Sequence, residues 1–229
     1  ITPTQLKGKA FESELSEMGD YVVDTSAIST NLGVPVIPAT YTKRDVSQIR
    51  PKFLSGSTGL TPTEKGTALH LAMQFVDLSK CVDINSIESE IARLKSMEII
   101  SAEQADAVEP KKILGFIQSD LGRRMLASKT VNREFKFSFL DDVVNYHPIK
   151  DSTDKVLVQG VCDLFFEEED GLVIVDFKSD RISSKGLSQR TKLYRPQINL
   201  YARALERITG KKVAEKHLYF FALDKSVAV

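Results

Sequence analysis

The sequence lacks an excess of either charge, since its 229 residues contain 31 Lys and Arg and 31 Asp and Glu. A net charge of zero excludes a uniformly basic surface, so any role in binding nucleic acid must depend on local patches. The hydrophobic fraction of 42% and the charged fraction of 27% are ordinary for a globular chain. Length and composition therefore predict one domain with appendages, or at most two small domains.

The sequence also has few cysteines and no long apolar run. Cys81 and Cys162 are far apart and not in Cys-x-x-Cys spacing, which disfavours a disulfide framework, a zinc site and an iron–sulfur cluster. Two such cysteines fit the reducing cytoplasm. No run approaches the roughly 18 apolar residues of a membrane span, and no signal peptide is visible. No Gly-x4-Gly-Lys-Ser/Thr motif occurs, which excludes a P-loop nucleotide site.

The first fifty residues differ in composition from the rest of the chain. They are rich in Ser and Thr and contain Gly33, Pro35 and Pro38, a composition typical of a loop or linker. The sequence begins at Ile1 rather than at Met, which indicates a piece of a longer protein. We therefore expect residues 1–50 to be a linker or N-terminal connection, and residues 51–229 to form the functional domain.

The first half of this domain predicts helices. Thr61–Glu64 forms a capping box with proline in the first turn, which predicts the start of a helix of about 18 residues. A second capping box, Ser101–Gln104, predicts another short helix. Apolar residues at helical spacing predict two more, over Asn85–Lys95 and over Pro110–Met125 as a single longer helix.

After residue 131 the apolar period changes from about 3.6 to 2, which predicts strands. The pair Asp170–Gly171 predicts a hairpin turn between two of them. The predicted elements, in chain order, are strands Glu134–Phe139, Val156–Phe166 and Leu172–Phe177, a helix Leu193–Thr209 and a strand Lys216–Leu223. This order predicts an α/β protein whose small mixed sheet carries helices on both faces.

Two of these strands carry an aspartate in apolar surroundings. Asp163 ends the run from Gly160, and Asp176 stands two residues before Lys178. Because side chains alternate along a strand, Asp176 and Lys178 share a face, and the hairpin allows Asp163 to lie across from Asp176. A buried ion pair is one explanation of this pattern. The other is a metal-dependent phosphodiesterase site, with two carboxylates for the metal ion and Lys178 for the attacking water.

Three further residues are positioned to complete such a site. His70 lies beside the apolar stripe of the first helix, where it is either a structural histidine or a metal ligand. Gln197 and Tyr201 are one helical turn apart and share a face, which indicates either an amphipathic surface or hydrogen bonds to the acid, the lysine or a phosphate. The adjacent pair Arg123–Arg124 suits a helix C-terminus better than a phosphate site.

Four motifs occur together in one order: Gly66–His70, Gly160–Asp163, Asp176–Ser179 and Gln197–Tyr201. In that combination the sequence resembles the RecB-like branch of the PD-(D/E)XK nuclease superfamily, apart from Ser179 where a threonine is common. More narrowly, it is similar to the nuclease domains of the AddA (RexA) family of bacterial ATP-dependent helicase–nucleases. The stretches that carry this narrower similarity are Glu64–Gln74, Leu121–Arg124 and Arg133–Glu134, and the likeness covers roughly Pro51 to Leu223.

The resemblance implies a restriction-endonuclease-like fold with three layers, α/β/α. It also implies a magnesium ion, which manganese could replace, and its implied ligands are His70, Asp163, Asp176 and the backbone carbonyl of Phe177.

The resemblance further implies roles for residues around the metal. Lys178 would position the attacking water as the third catalytic residue beside Asp163 and Asp176. Gln197 and Tyr201 would orient the site or contact DNA. For Glu134, a supporting role near the acids and a surface charge both remain open.

Partners follow from the same resemblance. DNA would be the substrate, a protein of the AddB (RexB) type the partner, and a helicase portion of the same full-length chain the consumer of ATP. AddB-type proteins carry a four-cysteine iron–sulfur site, and this sequence lacks those cysteines, which favours the AddA side.

The leading hypothesis is a magnesium-dependent exonuclease that cleaves single-stranded DNA, 3′→5′ by resemblance, during resection of double-strand breaks. The alternatives are a catalytically inactive DNA-binding or scaffold domain of the same complex, and a structural domain whose Asp–Lys pair only holds the sheet. The intact set of Asp163, Asp176 and Lys178 favours the enzyme.

Overall fold

A computed structural model describes residues 59–146 and 152–229. The predicted connection over residues 1–50 lies outside the described residues. The elements are α1 Pro62–Phe75, α2 Ile84–Ser96, α3 Ala102–Ala107, α4 Pro110–Gln118, α5 Asp120–Ala127, β1 Val131–Asp142, β2 Lys155–Glu168, β3 Gly171–Lys178, α6 Leu187–Thr209, β4 Val213–Phe220 and β5 Lys225–Ala228. Two short 3-10 helices, Leu78–Lys80 and Val143–Asn145, lie between them. None of the described helices is long and apolar enough to cross a bilayer.

The five strands form one mixed sheet in the order β1-β2-β3-β4-β5. The first three strands are an antiparallel meander, β3 and β4 are parallel, and β5 returns antiparallel to β4. The parallel pair is joined through α6, as a parallel connection requires a crossover. The predicted meander, crossover helix and following strand are therefore confirmed, and the short edge strand β5 is an element that the sequence did not predict.

Helices cover both faces of this sheet, and each face has its own apolar core. On one face, residues such as Leu164, Val175 and Tyr219 pack with the buried stripes of α1 to α5. On the other face, Ile174 and Leu218 pack with the buried residues of α6. The fold is thus α/β/α in three layers, which confirms the predicted fold class, and β3 is buried on both sides as a central strand should be.

Local capping signals set the beginnings of the helices on the first face. Thr61 accepts a hydrogen bond from the Glu64 backbone N–H, while the Glu64 side chain accepts from the Thr61 N–H at 2.7 Å. Ser101 and Gln104 form the second predicted box at the start of α3. Helix α1 has 14 residues rather than about 18, because the backbone becomes extended at Val76.

The single helix predicted over Pro110–Met125 is wrong, because the chain breaks at Ser119 into α4 and α5. Ser119 ends α4 with an extended backbone and caps α5 by accepting a hydrogen bond from the Gly122 N–H. Gly122 then allows the two helices to approach closely. A Cβ at position 122 would lie 2.0 Å from the carbonyl oxygen of Phe116, a distance that no other residue tolerates.

Helix α6 begins at Leu187, six residues before the predicted start, and it continues through Pro196. The residues before Leu193 are mostly polar, yet Thr191 and Tyr194 are buried and hold this first part of the helix against the sheet. Proline in a helix removes one backbone hydrogen bond. Packing against the sheet therefore outweighs both the polar composition and the proline.

Candidate active site

The hairpin between β2 and β3 brings the two predicted aspartates to the same place. The last regular pair of this ladder is Leu164 with Val175, so Asp163 and Asp176 stand at the next step, where the ladder has opened. There the Asp163 carboxylate replaces the missing backbone partner and accepts a hydrogen bond from the Phe177 N–H at 2.8 Å. The opening of the ladder therefore gives the acids a fixed backbone without closing the space beside them.

A second irregularity lies on the other side of Asp163. Cys162 and Leu164 should share a face of β2, yet Cys162 packs in the core under α6 and Leu164 in the core under α1 to α5. Glu134, the residue of β1 opposite Asp163, is missing from an otherwise continuous register and has a φ of 52°. A left-handed glutamate is strained, and such strain persists only where the surroundings enforce it. The irregular backbone at Asp163 and at Glu134 changes the direction of both side chains, which then point towards the candidate site.

Three ligand-type side chains meet at this point. One atom each from His70, Glu134 and Asp163 lies within 4.8 Å of the other two, and no other such group occurs among residues 59–146 and 152–229. His70 Nδ1 is 3.7 Å from Asp163 Oδ2, too long for a hydrogen bond. Ligands of an octahedral magnesium stand at about 2.1 Å from the ion and hence at most about 4.2 Å apart. Neighbouring octahedral ligands stand about 3 Å apart, so side-chain movement would have to draw these three groups closer before one ion contacted them all.

Burial sets the protonation states of these groups. It raises the pKa of Asp163 well above its ordinary range, and the nearby charge of Asp176 adds to that effect. Burial also raises the pKa of Glu134. For His70, burial lowers the pKa, which keeps the imidazole neutral and leaves a nitrogen lone pair free to bind a cation. The group thus carries acids that are costly to ionise without a positive charge nearby.

The predicted acid and lysine of β3 touch each other. Asp176 is 1% exposed and Lys178 is 8% exposed, and Lys178 Nζ lies 2.5 Å from Asp176 Oδ2. The approach of the ammonium is not along a hydrogen-bonding direction, so this buried oxygen has no hydrogen-bond donor among the described residues. Within the part of the chain that the structure describes, the charge of Lys178 is what compensates this buried oxygen, and a metal ion would offer it a second positive partner.

Lys178 is held from its other side by α6. Its ammonium donates to Gln197 Oε1 at 3.2 Å and lies 4.1 Å from the centre of the Tyr194 ring. Gln197 Nε2 in turn donates to the Tyr201 hydroxyl at 2.6 Å. Gln197 and Tyr201 are buried, so they are not the amphipathic surface that their spacing alone allowed. They form one chain of contacts with Lys178 and Asp176.

Phe177 and the arginine pair have clear positions as well. The Phe177 ring packs into the core of the first face and lies edge-on to His70, with ring centres 6.2 Å apart. Its N–H, rather than its carbonyl, is the group seen to contact the acids, so the predicted metal-binding carbonyl stays a prediction. Arg124 pairs with Glu168 and Glu215 and is a structural residue, in agreement with the expectation for that pair.

The sequence missed two residues beside Lys178. Tyr194 supplies the aromatic face described above, and its hydroxyl donates a hydrogen bond to Asp180. Burial raises the pKa of Tyr194 above its ordinary range, so the phenol stays neutral. A signal for Tyr194 was present, because it precedes Gln197 by three residues and therefore shares its helical face. Asp180 had no such signal.

Comparison with known proteins identifies the family. The model of the PD-(D/E)XK nuclease superfamily matches residues 38–228 of the sequence. The chain belongs to the PD-(D/E)XK nuclease superfamily. The predicted resemblance is thereby confirmed. The sheet with helices on both faces is the restriction-endonuclease-like fold that the resemblance implied.

Curated relatives from two genera share one name, which describes the A subunit of an ATP-dependent helicase/nuclease. Those from two Thermoanaerobacter strains are 43% identical over 174 residues, which is 75% of this chain and 14% of each relative. One from Clostridium botulinum is 38% identical over 184 residues, 79% of this chain and 14% of the relative. The chain therefore spans about one seventh of these relatives, and their name agrees with the narrower resemblance.

Proposed function

We propose that this chain is a divalent-metal-dependent exonuclease that hydrolyses phosphodiester bonds of single-stranded DNA. The observation that carries the proposal is the pairing of Asp176 and Lys178, buried together with one carboxylate oxygen lacking a donor, beside the group of His70, Glu134 and Asp163. Membership of the nuclease superfamily supports it. Polarity of 3′→5′ and preference for DNA are parts of the proposal that rest on the resemblance.

The residues present fit a divalent ion. His70, Glu134, Asp163 and Asp176 would hold it, with the Phe177 carbonyl as the further ligand that the resemblance implies. Carboxylate oxygens suit magnesium and manganese, and one imidazole favours manganese somewhat. Such an ion would supply positive charge against the phosphate and make water easier to deprotonate. The raised pKa of Asp163 fits this assignment, since a cation would lower the cost of its charge.

Lys178 would orient the reaction. Its ammonium donates hydrogen bonds, so it can hold the attacking water or a non-bridging phosphate oxygen and offset charge that develops in the transition state. Gln197 and the Tyr194 ring restrict the lysine side chain, which reduces the reorganisation needed during the reaction. Tyr201 acts on Lys178 through Gln197 and is therefore a positioning residue.

The wider assembly is also a proposal. The name of the relatives supports a helicase portion that uses ATP in a longer form of the chain. A role in resection of double-strand breaks for recombinational repair rests on the resemblance. By resemblance, a protein of the AddB (RexB) type would be its partner, in the cytoplasm. Residues 51–229 would be the nuclease domain, and residues 1–50 its connection to the helicase portion.

A nuclease assay tests the proposal directly. Single-stranded oligonucleotides labelled at either end are incubated with the wild-type chain over a magnesium or manganese titration and with EDTA. We expect metal-dependent shortening from the 3′ end. Asp176→Asn, which keeps the shape of the buried side chain, should lower the rate at least about a hundredfold.

Asp141→Asn is the matched control, because Asp141 is also a buried acid of the sheet but lies at the far end of β1, opposite Val156. This variant should cleave within about twofold of the wild type. Metal-dependent cleavage retained by Asp176→Asn would contradict the assignment of the site. Binding of DNA by the wild type without any cleavage would instead support the inactive-scaffold alternative.

A further inference from the structure

A polar groove lies between the first half of α6 and the edge strand β5. It has a volume of about 600 Å³. Its lining contains three cations, four hydroxyl side chains and no carboxylate: Lys192, Arg195, Lys225, Ser184, Ser188, Thr191 and Ser226 are joined by Leu187, Val227 and Ala228. A groove of this composition suits an anionic ligand.

The groove belongs to a basic segment within a chain of zero net charge. Residues 178–195 contain six Lys or Arg and one Asp, so this stretch has a formal charge of +5. The equal numbers of basic and acidic residues in the whole chain therefore hide a local excess of basic residues in this segment. The segment also contains the first turn of α6, whose N-cap Gly186 offers no side-chain hydrogen bond to the helical N–H groups. Those groups add partial positive charge at the same end of the groove.

The three groove cations are available to a ligand. Lys192, Arg195 and Lys225 are all exposed. Other cations near the sheet, by contrast, form ion pairs: Arg124 and Lys211 pair with glutamates, and Arg203 pairs with an aspartate. Within residues 59–146 and 152–229, no carboxylate lies within ion-pairing distance of any of the three groove cations. Exposed cations without a neighbouring carboxylate keep their full positive potential, which attracts an anionic ligand to the groove.

The groove continues from the candidate active site. Thr191 lines the groove, and Tyr194, one helical turn later, contacts Lys178. Across the sheet, Lys178 pairs with Phe220 and Phe220 pairs with Lys225. Two strand spacings separate the backbones of Lys178 and Lys225, a distance of roughly 10 Å. A ligand seated in the groove would therefore reach Lys178 without crossing another layer of the protein.

We propose that this groove binds the sugar–phosphate backbone of the single strand next to the bond that is cut. This inference rests on the proposed nuclease function and names the path of its substrate. The lining supplies cations and hydroxyl donors but no exposed aromatic ring, because Tyr194 is buried. The groove therefore grips phosphates rather than stacking bases, and it binds without regard to sequence. Lys192 and Arg195 on α6 and Lys225 on β5 place cations on both sides of the groove, so one phosphate backbone would meet positive charge from either wall.

Salt dependence of binding tests the groove separately from catalysis. Binding of a fluorescein-labelled oligothymidylate of about 20 nucleotides, longer than a typical single-strand site, is measured in EDTA with Asp176→Asn as the parent, over a range of potassium chloride concentrations. The groove variant adds Lys192→Gln, Arg195→Gln and Lys225→Gln. Each lost phosphate contact lowers the slope of log affinity against log salt by about 0.7, so the slope should fall by about 2.

The matched control adds Lys95→Gln, Lys111→Gln and Lys129→Gln to the same parent, which removes three exposed lysines outside the groove and away from α6. Its salt slope should equal that of the parent. Equal slopes for the groove variant and the control would overturn the proposal, as would failure of the parent to bind the oligonucleotide. A lack of metal-dependent cleavage by the wild type would overturn the proposed function alone, because the binding comparison involves no cleavage.

Discussion

At the scale of single residues, Asp163 is a buried acid whose charged form destabilises the fold. Its carboxylate is buried next to a second acid, and both burial and the charge of Asp176 raise its pKa. An acid whose pKa is raised by folding stabilises the fold only while it is protonated. Without a metal ion, stability should therefore fall as pH rises through that raised value.

The variant Asp163→Asn should be more stable than the wild type in EDTA at neutral pH. The amide keeps an oxygen to accept the Phe177 N–H and removes the buried charge, which should add roughly 1 kcal/mol to the free energy of unfolding. We also expect magnesium or manganese to raise the melting temperature of the wild type and to leave that of this variant nearly unchanged. Chemical denaturation and thermal melts with and without metal measure both effects.

Asp141→Asn should change the stability of the protein in the opposite direction to Asp163→Asn. Burial alone would raise the pKa of Asp141, but hydrogen bonds from Tyr146 and from the Asp142 backbone, with the charge of Arg203, outweigh burial and lower it. That carboxylate is stabilising when charged, so its amide variant should be less stable at neutral pH. If both variants changed stability in the same direction, the difference between a functional and a structural buried acid would be refuted.

At the level of elements, α5 is the helix whose attachment is most specific. Arg124 donates to Glu168 of β2 and to Glu215 of β4, so one side chain joins the helix to two strands. At its other end, Gly122 allows α5 to contact the backbone of α4 directly. The ion pairs of Arg124 thus hold α5 against the sheet, and the absence of a side chain at Gly122 allows it to pack closely on α4.

Gly122→Ala should destabilise the protein by about 3 kcal/mol. The new Cβ would meet the Phe116 carbonyl oxygen and the Ile117 backbone, neither of which can rotate away, so α5 must shift. Urea unfolding measures the loss. Gly186→Ala is the control, since a Cβ there would meet only the Ser183 carbonyl at 3.7 Å, and its effect should stay within about 0.5 kcal/mol. Equal losses in both variants would disprove the close contact.

Arg124→Met should show a stability difference that depends on pH. Arg124, followed by His217, lowers the pKa of Glu215 to about 2, and Arg124 also lowers that of Glu168. A lowered carboxyl pKa stabilises the fold above the unfolded value, near 4.5, and this contribution disappears as pH falls towards 2. At pH 7 the variant should lose about 1 kcal/mol, because partial exposure screens the pairs.

Unfolding free energies measured from pH 7 down to pH 2 check this expectation. The curves of the wild type and of Arg124→Met should converge in that interval. Arg123→Met is the matched control, because Arg123 is exposed and its ion pair with Asp120 is long, at 4.0 Å. The curve of this variant should follow the wild type throughout. A constant gap between Arg124→Met and the wild type would mean that the lost packing, rather than the ion pairs, causes the effect.

For the molecule as a whole, the sheet separates two kinds of surface. Helices α1 to α5 contribute His70 and the larger core, while α6 contributes the partners of Lys178 and the lining of the basic groove. The acids lie between these layers where the ladder of β2 and β3 opens. A net charge of zero is therefore compatible with a strongly anionic substrate, since residues 178–195 carry a local excess of positive charge.

Sequence reasoning succeeded where the signal was local. The capping boxes at Thr61 and Ser101, the period of the strands, and the shared faces of Asp176 with Lys178 and of Gln197 with Tyr201 all depend on neighbours within a few residues. Those patterns predicted most of the fold and brought together most of the candidate site.

The remaining features depend on residues far away in sequence. The left-handed backbone of Glu134 reflects the opening beside Asp163, and the break at Ser119 reflects the packing of Gly122 on Phe116. The start of α6 depends on burial of Tyr194 against the sheet. No periodicity records such contacts, so they had to be read from the structure.

The order of the site residues along the chain also has a consequence for biosynthesis. Domains emerge from the ribosome N-terminal part first, at about 5–20 residues per second. A nascent chain that has emerged only as far as Lys178 already contains His70 and all the acids, but it lacks α6, which holds the lysine in place. The parallel pairing of β3 with β4 also forms late, because it needs the whole crossover. The contacts around Lys178 are therefore complete only after α6 has been made, so the candidate site forms late in the synthesis of this domain.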